Sequence, residues 1–469
     1  MSRYDYARKR GQYIRRSNWR HATRSTRVEI AEPAPPPLGS VLTTITKSDL
    51  SDPSLSKESS VPKITNCKLV GSYNWLNRTS PTILIPGSPP AWTPETSRKK
   101  LSEDSGSYFR DQNAARYAEH VFQPALEAIL HQDPDFDFSN IDVVACGSTL
   151  GNLRRFISEP GQGFRILVEA VGSTVFLVRR ENSPTRTIPN VRGYGHTFPE
   201  ANTTWGPDVK GSESHQRILQ YGFAGLSCLV RYEGDGYLPS LHQSSPVQDK
   251  GMAIEANELI TSLEKAAVSA VSPKGNQSLT VETGGEAVSQ SAMFDLKTRS
   301  MYRNYQDVLQ SELPRLWLAQ VPTFVVGFHK SGIFDDVRIE NVRADVERWE
   351  KENRDDLTSL AALLRLLIAF AQGQPDGRFE VVFQGAEGDG ELELREVGGE
   401  INWCISESAK GRLTSSFCEV SGGDVDEEVR REEREEEKEK SCAWASDSES
   451  EKDFTACSAS SCGYCGHCG

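Results

Sequence analysis

The chain holds no run of the ~20 consecutive apolar residues that a membrane-spanning helix needs, and no apolar core of a secretory signal follows Met1. The longest candidate, 360–371, is interrupted by Arg365 and falls short of a bilayer. It is expected to be a buried helix that starts near Asp355 and ends before Gly373 and Pro375. No membrane partner is therefore expected, and the expected location is nuclear or cytoplasmic rather than secreted. Without a signal segment, the ten cysteines are not expected to form a disulfide framework. Four are isolated before residue 405. The last three, Cys462, Cys465 and Cys468, lie with His467 in a Cys-x-x-Cys-x-x-Cys run that could offer soft ligands to Zn²⁺. Structural zinc sites usually pair two such knuckles around a folded loop, and this tail is rich in Ser and Gly, so an unstructured tail is the favoured reading.

Negative charge is in excess, with a formal net charge of -13, which argues against nucleic-acid binding by the whole surface. The charge is unevenly placed. Within residues 1–30, Arg3, Arg8, Lys9, Arg10, Arg15, Arg16, Arg20, Arg24 and Arg27 face only Asp5 and Glu29, whereas 424–440 is dominated by glutamate. The basic arm could attract phosphates or an anionic protein partner, and its composition also resembles an organelle transit segment; a solvated, disordered arm is the favoured reading. The expected organisation is a disordered Arg/Ser/Pro-rich arm at 1–64, one folded domain at 65–410, and a disordered acidic and Cys-rich tail at 411–469.

Within the domain, 68–75 and the apolar strand 82–86 come first. Apolar spacing from about 112 to 131 fits a helix kinked by Pro124. A strand at 141–144, a polar turn at 147–152 and a short helix at 153–157 follow, then a hairpin of 164–168 with 175–179 turning near Gly172. The Ser/Gly/Pro/Glu-rich stretch 239–290 reads as a surface insertion with a helix at 255–267. A helix at 305–312, a strand at 323–328, the helix 357–371 and strands at 379–383 and 392–397 complete the domain. This alternation argues an α/β (α+β) fold with a mixed central sheet flanked by helices.

The chemistry concentrates in two stretches, Cys228-Leu-Val-Arg-Tyr-Glu-Gly-Asp-Gly-Tyr237 and Met293-Phe-Asp-Leu-Lys-Thr-Arg-Ser300. Both read as strands ending in charge. Alternation puts Glu233 and Asp235 on one face and Asp295 and Lys297 on one face. If the strands are neighbours, three carboxylates and an ammonium converge, which suits a hard divalent ion and an oriented water in phosphodiester hydrolysis. His196 and His215 invite a general-base reading, since histidine ordinarily titrates near neutrality, but neither has a partner at a diagnostic spacing, so a structural or RNA-contacting role is favoured. Trp205 and Trp317 can stack on bases but are more often core. Cys146 and Cys228 lack a nucleophile signature and are expected to be buried. The Asp-Asp-x-x-Asp pairs of prenyl-diphosphate synthases are missing: 335–339 and 355–359 both lack the closing aspartate, which counts against that chemistry.

The order Gly193-Tyr-Gly-His-Thr-Phe-Pro-Glu200, Glu233-Gly-Asp235, Asp295-Leu-Lys297-Thr and Leu316-Trp-Leu-Ala-Gln320 resembles the fungal DXO-type decapping exoribonucleases of the PD-(D/E)XK nuclease superfamily, over roughly residues 70–400. The resemblance implies that Glu233, Asp235 and Asp295 hold one or two Mg²⁺ or Mn²⁺ ions, with the Leu296 carbonyl as a further ligand and Glu200 as an outer one. Lys297 would position the attacking water. Arg154, Arg155 or Arg217 would replace an arginine that the family places near the scissile phosphate, and Gln320 would line the substrate channel. It further implies an RNA 5′ end as substrate and decapping or 5′–3′ exonucleolytic cleavage as the reaction. The sequence departs from the family at Gly234, Asp295 and Pro199, so a degenerate nuclease fold that binds RNA or protein without cleaving is the competing expectation.

Overall fold

The computed structural model describes residues 33–51, 61–95, 99–105, 107–158, 161–188, 191–242, 278–385, 390–399 and 401–418. The elements below belong to the unit that begins at Ala34. In chain order the first strands are β1 (Val41–Ile45), β2 (Ile64–Leu76), β3 (Thr82–Pro86), β4 (Ala91–Trp92) and β5 (Tyr108–Phe109). Asp111 then caps α1 (Gln112–Arg116) by accepting the N–H groups of Asn113 and Ala114. Helix α2 (Gln123–Gln132) is separate from α1: Pro124 occupies its first turn, where a missing N–H costs nothing, so the expected kink is a break.

Strand β6 (Val143–Cys146) passes directly into α3 (Gly147–Ser158). The stretch 147–152, read as a turn from its Gly, Ser and Thr, is instead the start of that helix, because Leu150, Leu153, Phe156 and Ile157 share a buried face. The expected hairpin forms from β7 (Phe164–Val171) and β8 (Thr174–Arg179), with Gly172 at φ +61° in its turn. Then follow β9 (Thr187–Ile188), α4 (Thr197–Asn202), β10 (Thr203–Thr204), β11 (Ser212–Phe223), β12 (Leu226–Glu233), β13 (Gly236–Tyr237), β14 (Thr280–Gly284) and β15 (Met293–Ser300). Helix α5 (Tyr305–Ala319) runs well past the expected 305–312 and contains the 316–319 run. The remainder is β16 (Thr323–Lys330), β17 (Ile333–Asn341), α6 (Arg343–Glu352), α7 (Arg354–Gly373), β18 (Arg378–Phe383), β19 (Leu392–Arg395) and α8 (Glu407–Cys418).

Among the described residues, eleven strands form one mixed sheet in the order β1-β19-β18-β7-β8-β6-β12-β11-β2-β3-β14. Six form a second, β10-β4-β13-β15-β16-β17, and β5 pairs with β9. The large sheet is buried on both faces, as its apolar runs dictate. Cys228 and Val230 of β12 face one core with α3, α5 and α7, while Leu229 faces another with α2 and α8. Helix α7 has 20 residues and is long and apolar enough to cross a membrane by length and composition, contrary to the expectation of too short a segment. Its Leu357, Leu360, Leu363, Leu364 and Leu367 are buried in the core, as expected of a core helix.

The folded boundaries lie outside those expected. Within the stretch read as an arm, β1 pairs with β19, and Arg395 Nη1 donates to the Gly39 carbonyl at 2.7 Å. Helix α8 crosses the expected boundary at 411. The stretch 239–290 is structured at its ends, where β14 lies parallel to β3. The expected helix 255–267, the basic arm 1–30 and the Cys-rich terminus lie outside the described residues. Of the aspartate pairs tested against prenyl-diphosphate synthases, Asp335 and Asp336 lie on β17 and Asp355 and Asp356 on α7, not on two facing helices.

Candidate active site

The stretch 228–237, read as one strand, is two. Strand β12 ends at Glu233 in the large sheet, and Gly234 donates its N–H to the His215 carbonyl at 2.9 Å as the chain leaves that sheet. It re-pairs as β13, antiparallel to β15 in the smaller sheet, with Gly236 opposite Phe294. Only glycine fits at 236: a Cβ there would stand 2.8 Å from the Pro90 carbonyl oxygen and would collide with the Phe294 ring. The change of sheet breaks the alternation that was to place Glu233 and Asp235 together. Glu233 lines a cavity and receives Gln216 Nε2 at 3.4 Å, while Asp235 Oδ2 accepts the Leu296 N–H at 2.7 Å beside Asp295.

Two acids and two cations form the centre. Asp295 is 4% exposed. Lys297 Nζ stands 3.3 Å from Asp295 Oδ1 and donates to the Leu296 carbonyl at 3.3 Å. Arg315, from α5, places Nη2 2.6 Å from Asp295 Oδ2 and 3.7 Å from Asp235 Oδ2. Burial, reinforced by the neighbouring Asp295 charge, pushes the Asp235 carboxyl above its usual range, against the pull of Lys297 and Arg315. Asp295 Oδ1 is buried and makes no hydrogen bond, its Lys297 contact being an ion pair only.

Among the described residues no three His, Cys, Asp or Glu side chains converge on one metal position. Of the expected set of Glu233, Asp235, Asp295 and Glu200, Asp235 and Asp295 stand together, joined through Arg315 and the Leu296 N–H. Glu200 sits on α4, where burial and the charge of Asp104 raise its carboxyl. The pair with the Leu296 carbonyl still fits a hard divalent ion of the kind held by one or two carboxylates plus substrate phosphates, and the hydrogen-bond-free Asp295 Oδ1 is an available oxygen.

Arg315 also lines a cavity of about 460 Å³ between β12, α3 and α5. The expected Arg154 and Arg155 line it from α3, Arg110, Arg179 and Arg231 also line it, and Tyr232 and Trp349 are its aromatic walls. Sequence reading missed Arg315: it lies on α5, a helix whose packing partner is unknown from sequence, and no motif marks it.

Other candidates fall elsewhere. Arg217 is fully buried, donating to the Val288 carbonyl at 2.8 Å and to Gln290 at 3.1 Å, so it anchors the end of the 239–290 stretch and does not face the cavity. Gln320 adopts φ +48° as the C-cap of α5, and its Nε2 donates to the Trp317 carbonyl at 2.6 Å. His215 is buried with Nδ1 2.6 Å from Asn74 Oδ1. His196 stacks on Tyr108 with centroids 3.5 Å apart. Trp317 is core and Trp205 packs beside Leu76, Leu84 and Val209. Cys228 is buried, whereas Cys146 is half-buried at the cavity wall, 3.0 Å from Arg231 Nη2.

No curated protein matches the chain. Among solved structures it is similar to S. pombe Rai1 in complex with 3′-FADP, at 11% identity over 76% of this chain and 99% of that one, with a TM-score of 0.48. It is similar to Scheffersomyces stipitis Rai1 in complex with (3′-NADP)+ and calcium ion, at 14% identity over 81% and 99%, with a TM-score of 0.49. It is also similar to K. lactis Dxo1 in complex with manganese, at 11% identity over 77% and 96%, with a TM-score of 0.42. These are proteins of the DXO type named above from the motifs. Residues 40–389 match the family described as a domain of unknown function, DUF8563, and the chain belongs to that family.

Proposed function

We propose that the protein is a divalent-metal-dependent hydrolase of RNA 5′ ends. The observation that carries this reading is the Asp235–Asp295 pair, Asp295 buried and Asp235 partly exposed, with Lys297 at its edge and Arg315 leading from it into an arginine-lined cavity. An Mg²⁺ or Mn²⁺ held by Asp235, Asp295 and the Leu296 carbonyl would supply Lewis-acid stabilisation of a phosphoryl oxygen. Lys297 Nζ, fixed beside Asp295 Oδ1, holds and orients a water for attack. Arg154 and Arg155 recognise phosphate oxygens through forked donors, and Tyr232 or Trp349 offers an apolar face to a base. The test is incubation of the full chain and of Asp235→Ala and Asp295→Ala with 5′-labelled capped, triphosphorylated and monophosphorylated RNAs in Mn²⁺. Cleavage by the wild type and loss in both folded variants is expected; no metal-dependent cleavage of any substrate by the wild type would sink the hydrolase reading.

A second reading, RNA binding without cleavage, is favoured by one feature: Arg315 already neutralises Asp295 at 2.6 Å, and among the described residues no third His, Cys, Asp or Glu side chain joins the pair. Retention of 5′-phosphorylated RNA without any cleavage distinguishes it.

A further inference from the structure

We propose that Arg315 is a latch on the carboxylate pair, holding Asp235 and Asp295 where a divalent cation would sit and swinging into the cavity when the ion binds, so that metal loading and phosphate recognition are coupled. The inference rests on the reading of this pair as an ion site. The two cations beside Asp295 divide its oxygens: Lys297 takes Oδ1, and Arg315 takes Oδ2 while also reaching toward Asp235. A guanidinium and a divalent ion are alternative counter-charges for Oδ2, because both need its inward lone pairs and like charges at that range repel strongly in a partly dry site.

Arg315 has somewhere to go. Its side chain is 26% exposed and already forms part of the wall of the cavity that Arg154 and Arg155 of α3 also line. Leaving the pair therefore requires rotation about side-chain bonds, with no movement of α5. Once turned, its forked donors suit a phosphate oxygen pair better than an ammonium would. Linkage then makes the effect reciprocal: phosphate in the cavity draws Arg315 off the carboxylates and tightens the ion, and the ion frees Arg315 for phosphate.

The test measures Mn²⁺ binding to the full chain by the paramagnetic resonance of free Mn²⁺, with and without a 5′-phosphorylated oligoribonucleotide carrying a phosphorothioate backbone. Arg315→Ala is expected to bind Mn²⁺ about tenfold more tightly than wild type without the oligonucleotide, and to lose the tightening that the oligonucleotide gives the wild type. Arg315→Lys, which keeps the charge but not the fork, is expected to fall between them and serves alone if Arg315→Ala fails to fold. Asp295→Asn separates the two ideas. If Asp295→Asn abolishes binding but Arg315→Ala stays within about twofold of wild type, the latch is overturned and the ion site stands. If Asp295→Asn binds Mn²⁺ as wild type does, the ion site and the latch both fall.

Discussion

Asp235 Oδ2 accepts the backbone N–H of Leu296 at 2.7 Å, which fastens one acidic triplet to the other across the β13–β15 pairing. The bond survives replacement of the carboxylate by an amide, whose oxygen also accepts, but the charge does not. Because burial and Asp295 raise the Asp235 carboxyl, its ionised form opposes folding at neutral pH. Asp235→Asn is therefore expected to melt no lower than wild type at pH 7.5 while losing ~100-fold or more of any Mn²⁺-dependent cleavage. A lower melting temperature with intact cleavage would contradict both the electrostatics and the role.

Glu200 lies on α4 and Glu233 ends β12, so neither shares the β13–β15 pairing that joins Asp235 to Asp295. Glu200→Gln and Glu233→Gln are expected to keep Mn²⁺ affinity and cleavage within roughly tenfold of wild type, in contrast to Asp295→Asn. Parallel Mn²⁺ titrations and cleavage time courses check this, and a loss at Glu233 equal to that at Asp295 would place Glu233 among the ligands.

Arg154 and Arg155 are cavity cations that can neutralise phosphates. Arg154→Ala and Arg155→Ala are each expected to weaken binding of 5′-phosphorylated RNA and to lower the slope of log affinity against log salt by ~1. Fluorescence anisotropy across a salt series gives both quantities; an unchanged slope in both variants removes them from the phosphate path.

His215 is held neutral. Nδ1 lies 2.6 Å from Asn74 Oδ1, Nε2 faces Arg217 Nη1 at 3.3 Å, and burial with that guanidinium pushes the imidazole well below its usual value. The unfolded chain takes up a proton near pH 6.5 and the folded chain does not, so stability is full above that pH and is lost as pH falls below it. The expected slope from this residue is at most ~1.4 kcal/mol per pH unit. Urea midpoints at pH 7.5 and 5.5 should fall less steeply for His215→Gln than for wild type; equal slopes would show that His215 is protonated in the fold.

Sequence reading recovered what local pattern encodes. The hairpin around Gly172 and the strand 82–86 follow from alternation and turn chemistry, and the core helix α7 follows from its apolar spacing. Asp235, Asp295 and Lys297 were legible as charges closing apolar strands, and the structure brings them together. The shared face expected for Glu233 and Asp235 assumed one strand, whereas the chain changes sheet at Gly234, about which strand alternation says nothing. The start of α3 was misread because Gly147 and Ser148 carry turn chemistry that the buried face of the helix overrides. Arg315 was invisible for a different reason: its side chain on α5 reaches two acids distant in sequence through the tertiary fold, and nothing in its neighbours records that approach.

The pairing of β1 with β19 joins segments at opposite ends of the folded unit, Gly39 and Arg395 being 356 positions apart. Loop closure over that span earns its contacts only after the intervening strands are in place. The flank of the large sheet is thus the last seam to be sewn during synthesis: β18 and β19 must leave the ribosome before β1 has a partner, and until then the edge of β1 stays open to other strands.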